Sequence, residues 1–331
     1  MVRFGIQFAS EQVSMNEIEA VAGKLESYGF DIIWTGDSYF SRNPYINLAL
    51  MARGAKKATI GLGATNPYTR HPVFTSTAVG TINELSGNRL VLAIGAGSKD
   101  MLAAVNYKWD DPVQRVRETI EIAKALMRGE SLSYEGTFYK TSKISLPPSF
   151  QNKDMPVYVA CRRRKMLKMA GEVADGIILD AAPLEYVPYA FDRLKEGAEV
   201  SRRSLRNFRF CNLLPFSISK DRELARNSVR PFVCIDLVSV SKKILELTGI
   251  RRADVDYIME TWPDWGASSK RVTEEMIDKF SIAGTLEECV RKFKRYIDLG
   301  VNEFLLCTPA GPTLEGTLEL THSKIMSQFK A

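Results

Sequence analysis

The feature that most constrains this fold is an alternation of short apolar runs, rich in β-branched residues, with amphipathic stretches along the whole chain. Most of the runs are continuously apolar, as is typical of strands buried on both faces of a parallel sheet. Eight strand–helix repeats predict an α/β fold, the (β/α)8 TIM barrel, with an open doubly wound sheet as the alternative. The eight predicted strands are Arg3–Phe8, Asp31–Gly36, Thr59–Thr65, Arg89–Gly97, Val157–Cys161, Gly176–Ala181, Phe208–Ile218 and Glu303–Thr308.

Three of the amphipathic stretches show the apolar spacing and the glycine stop of surface helices. They are Met15–Tyr28, Val113–Met127 and Leu286–Leu299, and each ends within two residues of a glycine. The apolar stripe of such a helix packs on the sheet, and the glycine ends it.

Two segments are additional to the eight strand–helix repeats of a barrel. Residues 130–146 alternate in polarity around Glu135-Gly136, which predicts a β-hairpin insert. Residues 219–281 contain several helix-like pieces and Trp262 and Trp265, which predicts a helical insertion before the last strand. No linker or shift in composition divides the chain, so residues 1–331 are expected to form a single domain.

Composition narrows the class of protein. Of the 331 residues 45% are hydrophobic and 25% charged, and no apolar run reaches the roughly 18 residues of a membrane span. The N-terminus lacks a signal-peptide core, and the five cysteines are far apart, so reduced thiols in a cytoplasmic protein are expected. The net charge of +6 favours an anionic ligand but is small for nucleic-acid binding, and with two histidines no metal site is predicted.

Two glycine pairs stand at strand ends, at Gly61 and Gly63 and at Gly95 and Gly97. Neither pair has the third glycine of a dinucleotide-binding turn, and neither is followed by the lysine of a P-loop. Glycine at the end of a barrel strand lets the backbone approach a flat ligand closely, and a tight turn is the simpler alternative.

Polar side chains follow three of the predicted strands. Asp37, after the second strand, would face the barrel mouth as an acceptor or base, or else cap the next helix. Arg70 and His71 follow the third strand and would meet an anion there, or form a rigid solvated loop. The cations of residues 162–165 follow the fifth strand at a predicted helix N-terminus, where they would hold a phosphate or carboxylate tail, or form a solvated face.

Five segments together resemble the bacterial-luciferase-like superfamily of flavin and deazaflavin enzymes. They are 29–39, 60–72, 84–99, 168–179 and 283–306, and within the superfamily they look most like the coenzyme F420-dependent methylenetetrahydromethanopterin reductases. The resemblance implies a TIM barrel with an insertion region, an oxidoreductase activity on a small-molecule substrate, and a homodimer. The composition predicts neither nucleic-acid nor membrane partners.

The resemblance also implies the positions of the site. A non-proline cis peptide after the third strand would fall at Gly63-Ala64, with the cofactor ring resting against it. The residues implied to bind the cofactor are Gly63, Ala64, Thr65, Gly97, Ser98, Cys161, Arg162, Leu179 and Asp180. Asp37, Gln7 and Tyr39 are implied as the catalytic residues that orient the ring or the substrate.

Three positions depart from the reductases. This chain has Gln7, Ser38 and Ser98 where the reductases have glutamate, histidine and aspartate. Glutamine and serine cannot supply a proton at neutral pH as a tuned carboxylic acid does, so hydride transfer is implied more firmly than pterin reduction. An FMN-dependent luciferase-type monooxygenase using reduced flavin and O2, and a non-catalytic flavin-binding protein, are the alternatives.

Overall fold

A computed structural model describes residues 1–7, 13–307 and 313–330, and its strands confirm the predicted barrel. The eight parallel strands of the barrel are β1 (Arg3–Gln7), β2 (Ile32–Thr35), β3 (Thr59–Thr65), β4 (Leu90–Gly95), β7 (Val157–Ala160), β8 (Gly176–Asp180), β9 (Arg209–Ile218) and β11 (Glu303–Cys307). They are neighbours in chain order, and a pairing of β8 with β9 closes the sheet, which excludes the open doubly wound alternative. Phe8 and Thr308, the last residues of two predicted strands, lie outside the described residues.

Three further strands lie outside the barrel plan. A short strand β10 (Ile282–Gly284) pairs in parallel with the last residues of β9. The strands β5 (Leu132–Glu135) and β6 (Lys140–Ile144) form an antiparallel pair, so the predicted hairpin insert is confirmed.

The helices connect the strands. They are α1 (Ile18–Ser27), α2 (Pro44–Gly54), α3 (Pro72–Ser86), α4 (Lys99–Ala104), α5 (Pro112–Met127), α6 (Arg164–Val173), α7 (Val187–Val200), α8 (Arg222–Val238), α9 (Lys242–Thr248), α10 (Arg252–Met259), α11 (Trp265–Lys270), α12 (Glu274–Phe280), α13 (Leu286–Asp298), α14 (Leu314–Leu320) and α15 (Ser327–Phe329). The run α8 to α12 is the predicted helical insertion. A π-helical stretch, Thr321–Met326, joins α14 to α15, and a 3₁₀ turn lies at Pro148–Phe150.

The first helix begins later than the sequence pattern predicts, at Ile18 instead of Met15. The reason is local: the Glu17 carboxylate accepts hydrogen bonds from the backbone N–H and the hydroxyl of Ser14, at 3.0 and 2.6 Å. Residues 14–17 are therefore held in a turn of their own, and the helix follows it.

The chain divides into two compact units. The N-terminal unit is Gln7–Ile178 with Arg193–Phe208, and the C-terminal unit is Met1–Ile6, Leu179–Asp192 and Arg209–Ala331. In the N-terminal unit, the fully buried Trp34 ring lies over β3, where a Cβ on Gly61 or Gly63 would come within 2.2 or 2.6 Å of it. Those two glycines are therefore required by the packing of an indole against the strand.

The C-terminal unit has its own aromatic core. Phe4 of β1, Phe293 of α13 and Phe304 of β11 are all fully buried, with ring centroids 4.8–5.7 Å apart. The α13 helix begins with a complete capping box between Thr285 and Glu288. The helix predicted at Leu286–Leu299 is thus confirmed.

Across the described ranges, no helix is long and apolar enough to span a membrane. Nor do those ranges contain a cluster of three or more His, Cys, Asp or Glu side chains suited to a metal ion. All five cysteines are free thiols.

Candidate active site

The ends of β2 and β3 are joined by a hydrogen bond between side chains. The buried Thr65 hydroxyl donates to Oδ2 of the half-buried Asp37 at 2.7 Å. Burial raises the pKa of Asp37, while the Thr65 hydrogen bond and the charge of Arg70 oppose that rise. Asp37 does not cap the following helix, because Asn43 caps α2. The carboxylate is therefore held at the strand ends by Thr65 and takes no part in capping that helix.

Gln7, at the end of β1, lies beside the end of β2. A Cβ on Gly36 would be 3.3 Å from Nε2 of Gln7 and 3.7 Å from the carbonyl oxygen of Gly63. Gly36 directly precedes Asp37, so the Gln7 amide and the Gly63 carbonyl lie close to the backbone at the start of the Asp37 segment. The structure brings these three predicted site residues into one neighbourhood.

Tyr39 connects this neighbourhood with the turn after β4. Its hydroxyl oxygen accepts a hydrogen bond of 2.7 Å from the backbone N–H of Ser98, and burial raises the pKa of the phenol. The preceding residue, Gly97, has a left-handed φ of +69°. A Cβ on Gly97 would lie 2.7 Å from the Tyr39 oxygen, so this contact requires glycine.

The peptide bond between Gly63 and Ala64 is cis, as the family resemblance implies. Gly95 of β4 lies next to it: a Cβ on Gly95 would be 3.4 Å from the Cβ atoms of both Ala64 and Ala160. Small residues therefore line this end of three adjacent strands.

The segment after β3 forms a rigid loop, residues 66–71. Oδ1 of Asn66 accepts hydrogen bonds from the N–H groups of Tyr68 and Thr69 at 3.0 and 3.1 Å. The Arg70 guanidinium lies 4.6 Å from the centre of the Tyr45 ring, and Nδ1 of His71 accepts from the N–H of Val73 to cap α3. The loop is thus held by hydrogen bonds of its own, and Arg70 acts electrostatically on Asp37. Binding of an anion by Arg70 and His71 stays a prediction.

The cationic segment comes at the end of β7. Arg162 is half-buried, and the three cations that follow, at residues 163–165, are exposed at the start of α6. Cys161 is buried, burial raises the pKa of its thiol, and its N–H donates to the carbonyl of Ile178 at 3.0 Å. At this strand end Cys161 therefore contributes its backbone groups, and the cations contribute positive charge.

The remaining two predicted cofactor residues, Leu179 and Asp180, belong to the C-terminal unit. They precede Ala181, whose left-handed φ is +46° and whose N–H donates to the Leu213 carbonyl at 2.7 Å. The buried Asn212 side chain holds the next residue, Ala182, through hydrogen bonds of 3.1 and 3.0 Å to its N–H and C=O. This end of β8 is accordingly fixed within its own unit.

Three residues of this region escaped the sequence reasoning, namely Tyr45, Glu118 and Tyr139. Tyr45 and Glu118 lie in stretches that read as ordinary helix, and Tyr139 lies in the hairpin. None of them follows the carboxyl end of a barrel strand or lies in a segment of the family resemblance, and these were the two signals that pointed to candidates.

Comparison with known proteins decides the family. The family model described as luciferase-like monooxygenase matches residues 2–303, most of the chain. The chain belongs to this family. The identification made from the sequence is therefore confirmed.

Three relatives that are 30–32% identical to this chain share one name. The 5,10-methylenetetrahydromethanopterin reductase of Archaeoglobus fulgidus is 32% identical, covering 99% of this chain and 100% of the relative. The 5,10-methylenetetrahydromethanopterin reductase of Methanolobus tindarius is 30% identical, and the match covers 98% of this chain and 99% of that relative. A solved structure, the coenzyme F420-dependent tetrahydromethanopterin reductase of Methanopyrus kandleri, superposes with a TM-score of 0.93 at 29% identity, with 99% of each chain covered. The luciferase-like chain is an oxidoreductase.

Proposed function

We propose that this chain is a coenzyme F420-dependent oxidoreductase, which transfers hydride between the deazaflavin and an organic substrate. The observation that carries the proposal is the arrangement in the N-terminal unit: the small residues around Gly63-Ala64 adjoin the Asp37–Thr65 and Tyr39–Ser98 hydrogen bonds. Relatives named as methylenetetrahydromethanopterin reductases, at 30–32% identity over the full length, support it.

The residues present fit the cofactor. Gly63, Ala64 and Thr65 would receive the flat ring, because side chains larger than methyl are absent from the Gly63-Ala64 backbone and its neighbour Gly95. Within the N-terminal unit, the acidic tail would extend along Gly97, Ser98, Cys161 and Arg162. The exposed cations at residues 163–165 and the N–H groups at the start of α6 favour negative charge there.

The bound deazaflavin supplies or accepts the hydride, and the chain positions the partners and manages protons. Asp37 keeps a proton to a higher pH than an ordinary aspartate, so it is the acid or base that we assign to any proton transfer. Tyr39, with its raised pKa, stays a neutral phenol and fixes the turn of Ser98. Gln7 contributes a neutral amide that orients the substrate or the ring.

The neutral Gln7, Ser38 and Ser98 restrict the substrate. A reaction that needs several carboxylic acids from the protein is disfavoured, whereas hydride transfer with one proton at Asp37 is supported. Alcohol–ketone pairs satisfy this requirement, and a methylene pterin would satisfy it if Asp37 alone served as the donor. We further propose a homodimer and a single-domain organisation.

Separate calorimetric titrations of the purified protein with coenzyme F420 and with FMN test the proposal. Tight binding of F420 alone is expected, and reduced F420 should then be oxidised by a methylene pterin or a ketone. Tight binding of FMN alone, with substrate-dependent consumption of O2, would replace the proposal with the luciferase-type monooxygenase. Binding of F420 without turnover of any acceptor would leave a non-catalytic carrier.

A further inference from the structure

The β5–β6 hairpin is anchored by a carboxylate that is completely buried. Glu118 of α5 is 0% exposed, and its two oxygens accept hydrogen bonds from the N–H groups of three consecutive residues, Thr137, Phe138 and Tyr139, at 2.7, 3.0 and 3.0 Å. Gln114 donates a fourth at 2.9 Å. A carboxylate bound in this way fixes the backbone of the hairpin tip.

The tip in turn holds the loop after β3. The buried Tyr139 hydroxyl donates to the carbonyl oxygen of Pro67, and its ring lies edge-to-face on His71 at 5.2 Å between centroids. The Arg115 guanidinium lies 3.9 Å from the Phe138 ring and 5.0 Å from the Tyr68 ring. Two separate contacts thus connect the hairpin with loop 66–71.

The same loop reaches the candidate site. Arg70 lies over the Tyr45 ring and acts on the Asp37 carboxyl, and His71 directly follows it. Because Nδ1 of His71 accepts the N–H of Val73, a neutral ring carries its proton on Nε2. Burial lowers the pKa of His71, which keeps that neutral form through neutral pH.

We infer that Glu118 is a positioning residue of the active site: through the hairpin tip and Tyr139 it sets the placement of His71 and of the preceding Arg70, whose charge acts on Asp37. The hairpin insert thereby helps to hold the site in place, although neither of its strands contains a candidate catalytic residue. This inference deepens the proposed function and rests on it for the effect on cofactor and substrate.

The variant Glu118→Gln tests the inference. Glutamine has an NH2 group in place of one carboxylate oxygen, and this donor cannot accept the hydrogen bonds of the backbone N–H groups that face it. Glu135→Gln is the matched control: it makes the same change on the same hairpin, where Glu135 is exposed and paired with Lys140. Tyr139→Phe is the milder second variant, which keeps the ring against His71 and removes the hydrogen bond to Pro67.

The readout that needs no cofactor is the titration of histidine by NMR with selectively labelled histidine. The chain has two histidines, so His322 serves as the internal reference for His71. His71 faces Tyr139 from the hairpin and Phe74 from α3, with Arg70 preceding it in the loop. In Glu118→Gln the His71 pKa should rise toward its ordinary value, while Glu135→Gln leaves it unchanged.

The second readout is affinity. Glu118→Gln should raise the Kd for F420 or the KM of the substrate by about tenfold or more, Tyr139→Phe by a few-fold, and Glu135→Gln not at all. A folded Glu118→Gln protein with an unchanged His71 titration and unchanged Kd and KM would overturn the inference. If Glu118→Gln does not fold, an unchanged Kd and KM in Tyr139→Phe would overturn it. Failure of the wild type to bind F420 would instead refute the proposed function and leave the His71 titration as the deciding measurement.

Discussion

At the scale of single residues, the candidate site depends on one hydroxyl. Thr65 lowers the pKa of Asp37 against the effect of burial, and it is itself buried at the end of β3. The Asp37 carboxyl is therefore held between two opposing influences. Without the Thr65 hydroxyl, Asp37 stays buried but loses the hydrogen bond that lowers its pKa.

The variant Thr65→Val should raise the pKa of Asp37 further. The half-point of the Asp37-dependent limb of the kcat/KM profile then moves to higher pH, and Thr65→Ser should restore it. A carboxyl whose pKa is raised in the folded state destabilises the protein once the pH is high enough to ionise it. The free energy of unfolding of the variant should therefore fall by about 1–3 kcal/mol near pH 7 and by less below about pH 4. Equal losses at both pH values in urea unfolding would contradict this explanation.

Single residues also show where sequence reasoning stops. Asp37 could be selected because it follows a strand end, and parallel strands bring their ends together, whereas Gln7, Tyr39, Thr65 and Ser98 came from the family resemblance. Which of them touch could not be predicted, since Tyr39 and Ser98 are 59 residues apart and their bond depends on the course of two loops. Glu118 read as one more helix carboxylate, because burial is not visible in a helix pattern that also contains charges.

At the scale of elements, the apolar runs predicted every barrel strand, since continuous β-branched runs of this length are buried in parallel sheets. The helix starts were less predictable, as the shift of α1 to Ile18 shows, because a local side-chain turn competes with the helix. The cis peptide at Gly63-Ala64 was available from the family resemblance and not from propensity.

The turn from β4 to α4 gives an element-scale prediction. Gly97 has a φ of +69° and faces the Tyr39 oxygen, whereas Gly87, which ends α3, has a φ of +65° and open space around it. Alanine at either position should cost about 1–2 kcal/mol of stability, because both residues are left-handed. Only Gly97→Ala should also displace Tyr39 and raise the Kd for F420, by tenfold or more. Equal affinities of the two variants in calorimetry would show that the Gly97–Tyr39 contact does not shape the site.

At the scale of the whole molecule, the question is whether the two compact units unfold together. The boundary of the units falls inside β1, after Ile6, and inside β8, after Ile178. A strand that gives residues to both units cannot lose its order in one unit without loss to the other. We therefore expect the single domain that the unbroken composition predicts, with one cooperative transition.

Arg226 provides the perturbation for this test, because it lies in the insertion and far along the chain from the candidate site. It is 2% exposed, and it donates to Asp278 at 2.6 Å and to the Glu274 carbonyl at 2.9 Å. Its carboxylate partners are exposed enough to regain water when the arginine is removed. Arg226→Met should therefore cost about 1–3 kcal/mol, less than the roughly 3–5 kcal/mol of breaking a fully buried pair.

The four tryptophans show which unit unfolds, because each unit contains two of them. Trp34 and Trp109 belong to the N-terminal unit, and Trp262 and Trp265 to the C-terminal unit. With 5-fluorotryptophan incorporated, the fluorine signals of all four should disappear over one range of urea concentration, and Arg226→Met should shift that range equally for both pairs. If the variant lost the Trp262 and Trp265 signals first while Trp34 and Trp109 kept the wild-type midpoint, the units would be independent. The C-terminal unit would then be a separate domain, and a cofactor held by the N-terminal unit would stabilise that unit alone.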